Sequence, residues 1–131
     1  MIVGDGETIG SSEVLGGCGF KLPGSGMTAG SLNGTYMLYQ FMDNNIGVGS
    51  FVTIRARATF DGAGSVTYSE IARSAGSLDP GGAGTYAVAD DGTFLIDGVM
   101  PGVVIQDGSA FGIVYYDVGE NSVSITIGIK Q

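Results

Sequence analysis

From Ser122 to Lys130 the chain alternates with a period of two: Val123, Ile125, Ile127 and Ile129 point one way, Ser124, Thr126, Gly128 and Lys130 the other. Such alternation predicts a strand of an antiparallel sheet, one side buried and the other wet. From Leu32 onward, runs rich in Val, Ile, Thr, Tyr and Phe recur, each bounded by Gly, Asn or Asp. Residues of these types favour pleated, half-buried surfaces. The expected strands span 34–42, 50–60, 65–73, 84–89, 93–97, 102–106, 109–117 and 122–130. YSEIARSAG (68–76) comes nearest to a helical pattern, but it directly follows a turn signal and a β-rich run. FGIVYYDV (111–118) is apolar on both faces, which predicts a central strand or one that lines a contact.

The pattern is all-β: an antiparallel meander of about eight strands, expected to close as an up-and-down barrel, with a β-sandwich as the alternative. Closure hides the sheet edges. The connections look local, whereas Greek-key sandwiches need longer crossings, for which only 74–83 and 43–49 have the length. Residues 1–31 are Gly/Ser-rich and lack sustained periodicity, so they predict a flexible or loosely docked leader ahead of a single all-β domain over 32–131. Within the leader, VLGGC (14–18) has the outline of a bacterial lipobox. Asp5, Glu7 and Glu13 precede it, with neither Lys nor Arg and no apolar stretch, so Cys18 reads as an ordinary thiol.

Composition narrows the function. The 25 glycines have no Gly-x-y period and point to many tight turns. Net charge is −8, and apart from Arg55 and Arg57 the cations are scattered, which disfavours nucleic acid and anionic membrane surfaces as partners. No apolar run approaches the roughly 18 residues of a helical membrane span. There is one cysteine and no histidine. That removes internal disulfides, His-based metal sites and imidazole-dependent catalysis, so no catalytic residue, metal ligand or cofactor is assigned.

Asp61-Gly62, Asp91-Gly92, Asp97-Gly98 and Asp107-Gly108 stand between β-runs, where Asp-Gly is a strong hairpin signal. GSGMTA and GAGTYA fit G-x-G-x-x-A but lack the strand-to-helix setting of a dinucleotide site, and no glycine loop carries the lysine of a P-loop. Asp90, Asp91 and Asp97 crowd one hairpin and are the candidate positions for a weakly held calcium ion.

One polar constellation emerges from the hairpin FDGAGS (60–65). With Phe60 opposite Ser65, Arg55 falls opposite Glu70, Arg57 opposite Tyr68 and Ile54 opposite Ile71. Arg55, Arg57, Tyr68 and Glu70 then share a face, with Val52, Ile54, Ala56, Ala58 and Phe60 on the other. Turned outward, these are exposed cross-strand pairs contributing about 0.2–1 kcal/mol each. Turned into a barrel, the two arginines grip a carboxylate or another anion. Of Tyr115 and Tyr116, one faces inward. Arg55, Arg57, Tyr68, Glu70 and Tyr115 are therefore the candidate ligand-binding residues.

LNGTY (32–36) at the head of a meander resembles the opening of calycin barrels, the lipocalins and avidins, in which Gly-x-Trp begins the first strand. Gly34 and Tyr36 match the two motif positions, and Lys130 matches the basic residue that lipocalins place late in the chain near the aromatic. The resemblance implies a carrier of hydrophobic or other small molecules. The absence of Trp departs from the avidin pattern of biotin binding. FDGAGSVTY and GTYAVADDGTFLIDG are similar in composition to Gly/Asp-rich β domains of exported bacterial proteins, which implies a periplasmic or extracellular setting.

The expected function is non-enzymatic binding of a small apolar or anionic molecule inside the barrel. The rival is a structural or self-associating β module, with a homo-oligomer as its product. A third reading is a cyclase or isomerase working through carboxylates and tyrosines, but a general acid-base Glu70 needs a raised pKa and a facing Arg55 opposes that.

Overall fold

The computed structural model describes residues 25–43, 51–105 and 107–131, together with the backbone of residues 2–3 and 18–19. The expected leader up to residue 24, apart from those four positions, and the 43–49 connection beyond Asp43 lie outside the described residues. Ile2–Val3 (β1) and Cys18–Gly19 (β2) pair as a small antiparallel sheet of their own. Eight strands follow: β3 (Asn33–Asp43), β4 (Phe51–Asp61), β5 (Ser65–Arg73), β6 (Gly82–Val88), β7 (Thr93–Ile96), β8 (Met100–Ile105), β9 (Ala110–Asp117) and β10 (Ser122–Lys130). They form a closed antiparallel barrel in chain order, with β10 returning to pair with β3. The fold is thus the all-β up-and-down barrel that the sequence predicts, and YSEIARSAG contributes to a strand, not a helix.

Strand alternation fills the barrel. Tyr36 and Leu38 from β3, Val52, Ile54, Ala56, Ala58 and Phe60 from β4, Val66, Tyr86, Phe94, Val104, Phe111 and Ile113 form one buried cluster. Five rings make its centre. Tyr36, Phe60, Phe111, Tyr86 and Phe94 contact one another at centroid separations from 5.0 to 5.5 Å, mostly edge to face.

An eight-stranded barrel is too narrow for large side chains from every strand, and glycines supply the missing space. Phe111 stands opposite Gly128 and Phe94 opposite Gly102. A Cβ on Gly128 would lie 2.3 Å from the Phe111 ring, and one on Gly102 would lie 2.5 Å from the Phe94 ring. The same crowding decides which side of β10 is buried. Ser122, Ser124, Thr126 and Gly128 face inward, while Val123, Ile125 and Ile127 are half-buried outside and Ile129 is exposed. The small polar row goes in because the opposite strands already fill the interior; the hydrophobic row is left on the outer wall.

Residues 25–32 cover one end of the barrel. Leu32 and Met27 are buried, the Met27 amide donates to the Asp90 carbonyl at 3.1 Å, and the Tyr86 hydroxyl sits 2.9 and 2.8 Å from the carbonyls of Ala29 and Leu32. The Tyr36 hydroxyl donates to the Gly108 carbonyl beside them. Residues 25–31, assigned to the leader on composition, therefore contribute the lid of the barrel. The wall itself is uneven. β3 and β4 pair over eleven positions, whereas β5–β6, β7–β8 and β8–β9 pair over four each and β6–β7 over three.

Gly128→Ala pushes a methyl into the Phe111 ring. It is expected to cost about 1–3 kcal/mol, the usual range for overpacking a core, read as a lower denaturation midpoint at unchanged slope.

Candidate functional site

The weakly paired side of the barrel holds a partly open pocket of about 240 Å³. Leu38, Ala58, Phe60, Val66, Phe111 and Ile113 form its apolar walls, with Ile96 and Met100 closing in from β7 and β8. Gly82 borders open space where β6 passes the pocket, since a Cβ there would meet nothing within 4 Å, whereas the Asp97 carboxylate fills the space beside Gly84. The polar side chains in its lining are those of Tyr68 and Asp97. Both are engaged: the Tyr68 hydroxyl lies 3.3 Å from Glu70 Oε1, and Asp97 Oδ1 accepts from the Thr85 amide at 2.7 Å.

The expected face of Arg55, Arg57, Tyr68 and Glu70 does not exist. The observed register pairs Phe60 with Val66, Ala58 with Tyr68 and Ala56 with Glu70, one residue away from the expected pairing. Asp61 causes the slip: its Oδ1 accepts from the amides of Ala63 and Ser65 at 2.7 and 2.9 Å, drawing Ser65 into the turn. Because side chains alternate, one step exchanges the faces of a whole strand. Tyr68 and Glu70 turn inward beside the alanines, and Arg55 and Arg57 remain exposed outside. The arginines therefore do not meet Glu70 or Tyr68 and do not line the cavity. Tyr115 lies on the inner face opposite Ser124, packed against the core but outside the cavity lining.

A β-bulge at Ile71 supplies an ion pair that the hairpin pattern did not show. Ala56 pairs with Glu70 and Arg55 with Ala72, so Ile71 has no partner and Arg73 falls opposite the inward Ile54. Arg73 Nη1 then reaches Glu70 Oε1 at 2.9 Å, with the Glu70 side chain 3% exposed. The other Glu70 oxygen accepts from the Asp79 amide at 2.9 Å, and the Glu70 amide donates to the Asp79 carbonyl at 3.2 Å. Glu70 thus clamps the 74–81 connection along the part of β5 that β6 does not cover. Gly81 makes the approach possible: a Cβ there would lie 1.7 Å from the Tyr68 carbonyl oxygen, and its φ is +87°.

Burial and the adjacent Glu70 carboxylate push the Tyr68 hydroxyl far above the ordinary tyrosine range. Burial also raises Tyr36 and Tyr86. A tyrosine held neutral in this way donates a hydrogen bond and is a poor proton-transfer base near neutrality.

The turn carboxylates are also occupied. Asp91 accepts from the Thr93 amide and hydroxyl, Asp107 from the Ser109 amide and Asp90 from the Gly26 amide. These bonds hold Asp61, Asp91 and Asp107 below the usual carboxylate range. Among the described residues no three His, Cys, Asp or Glu side chains converge as a metal site. Asp90, Asp91 and Asp97 each turn to a different backbone segment.

No family model matches this chain, no curated protein matches it, and no solved structure matches it.

Of the five expected binding residues, Tyr68 lines the cavity and Glu70 orients it. The apolar wall residues were legible only as alternating rows. Glycines at strand positions on β6 were the signal for where space would open.

Two outcomes are expected. Glu70→Ala strands Arg73 and the Asp79 amide, costing about 2 kcal/mol, in the range for hydrogen bonds to a charged group, with faster hydrogen exchange over 76–81. The alkaline limb follows from the tyrosines. Their folded pKa values exceed the ordinary 10.0, so folding favours the neutral phenol; stability is full below pH 10 and falls as pH rises through the folded values. Phenolate absorbance from these three is expected to emerge with unfolding, not before it.

Proposed function

We propose that this barrel is a non-enzymatic binder of a compact, uncharged, largely apolar small molecule. The observation that carries the proposal is the partly open pocket of about 240 Å³, walled by Leu38, Phe60, Phe111 and Ile113 and bordered by Gly82. A dry cavity of roughly 150 Å³ takes benzene, so about ten non-hydrogen atoms fit here. That is smaller than the roughly 300–1,000 Å³ of a drug-sized pocket.

Charge supports the neutral class of ligand over the anionic one. Arg55 and Arg57 are exposed outside the barrel, and Arg73 is paired with Glu70. The likeness to calycin barrels is consistent with this reading. Lys130 stands in register with Tyr36, and its Cε would lie 3.2 Å from a Cβ at Gly34. An enzyme built on Tyr68 and Glu70 is disfavoured by the Arg73 and Asp79 contacts, which hold that carboxylate in structural use. The composition shared with exported bacterial β domains makes a periplasmic or extracellular carrier the setting that we propose.

Gly82 offers a clean test, because a Cβ there meets nothing within 4 Å. Toluene at ten times its Kd is expected to stabilise the wild-type protein by about 1.4 kcal/mol, a melting shift of a few degrees. Gly82→Leu, which places a side chain in the cavity mouth, is expected to melt normally and lose that shift. Absence of a shift with benzene, toluene and naphthalene, and of any retained small molecule by native mass spectrometry, would reject the carrier reading.

A further inference from the structure

The outer wall of the barrel is divided. On β4 the outward residues begin with the exposed Phe51 and continue with Thr53, Arg55, Arg57 and Thr59, all exposed and polar. From β7 through β10 to β3 the outward rows change character. Leu95 pairs with Pro101; Val103 meets Gly112, Ile127 and Tyr39 in turn; Val114 meets Ile125 and Phe41. Charge appears at the margins of this wall, in Asp43 at the end of β3, Asp97 in the turn after β7, and Arg55 and Arg57, which pair with Tyr39 and Met37 at its β4 edge. Leu95 is 43% exposed, Val114 56%, Phe41 58% and Tyr39 46%. A contiguous apolar surface of this kind marks a contact.

We propose that this wall is the interface of a symmetric homodimer, its occupant a second copy of the same chain. Two observations select that occupant. The first is shape. Over β7–β9 the wall sinks into an apolar trough of about 890 Å³ flanked by Leu95, Pro101, Val103 and Val114, with Gly112 leaving its floor bare. Beside it, across β10, Tyr39 and Phe41 stand out from β3 as a ridge. Ridge and trough on one surface, separated by a single strand, are what a two-fold axis requires: each copy inserts its ridge into the other's trough, with β10 near the axis.

The second is charge. The chain carries −8 overall, which opposes docking on anionic lipid, while the wall offers no charge row for a charged partner. A transmembrane barrel presents apolar residues on every strand around a polar interior; here Arg55 and Arg57 interrupt the belt and the interior is aromatic.

The test is sedimentation velocity of the full chain from 1 to 100 µM, with three variants at exposed positions and circular dichroism to verify folding. The wild type is expected to sediment at twice its 13.3 kDa. Phe41→Asp on the ridge and Val114→Asp at the trough are each expected to weaken association about thirtyfold or more, the size of a hot-spot loss, at unchanged dichroism. Arg57→Glu on the polar wall is expected to leave the dimer intact. A wild type that stays monomeric at 100 µM overturns the proposal, and co-flotation of that monomer with phosphatidylcholine vesicles would reassign the wall to lipid. A dimer that survives both Asp variants overturns it as well, placing association on another face.

Discussion

The packing of aromatic rings against glycine backbone inside the barrel is the constraint from which the other features follow. Five rings gather within 5.0–5.5 Å of one another, and such pairs contribute about 0.5–1.5 kcal/mol each beyond their buried area. They fit because Gly102 and Gly128 yield the volume that Phe94 and Phe111 occupy. A barrel filled this way has no room for a second hydrophobic row from β10, so Ser122, Ser124 and Thr126 take the inner positions. The row of Val123, Ile125, Ile127 and Ile129 is thereby displaced to the outside. Inner crowding and outer hydrophobicity are two sides of one strand.

The same economy of volume leaves a gap beside Phe60 and Phe111. β6 brings Gly82 to the pocket, which opens against it, while the Asp97 carboxylate fills the space beside Gly84. This is also where the ladder is shortest, three or four pairs per neighbour against eleven between β3 and β4. The pocket thus lies where the wall is held by its fewest cross-strand pairs. Glu70, fastened to Arg73 and to the Asp79 backbone, ties the exposed 74–81 connection down beside it. A buried charge held by three hydrogen-bond partners at a wall discontinuity explains why a carboxylate occurs among alanines and aromatics.

How much of this was legible beforehand differs by element. Strand spans followed from alternation and punctuation: β5 and β10 coincide with their expected limits, and β3, β4, β7 and β9 differ by one residue at an end or at each end. The Asp-Gly pairs marked turns, and Asp97-Gly98 has both residues at positive φ, as a tight hairpin turn needs. The register of β4 against β5 was not legible, because Asp61 recruits two amides through its carboxylate and lengthens the turn by one residue. Nor was the bulge at Ile71, which turns Arg73 inward. Both are local hydrogen-bond choices that leave the hydrophobic pattern unchanged.

The chain's own residues determined an all-β meander, eight strands long enough to close, and the exclusion of histidine- and disulfide-based chemistry. These follow from side-chain period and composition, properties that each segment carries by itself. Only the tertiary structure decided which face of each strand looks inward. On β10 the hydrophobic row was the natural candidate for burial, and the barrel chose the other, because interior volume is shared among all eight strands. The position of Tyr68 and Glu70 inside, and of Arg55 and Arg57 outside, was decided the same way. A single residue of slip carries no signature in the pattern, yet it exchanges what faces the barrel interior for what faces the solvent.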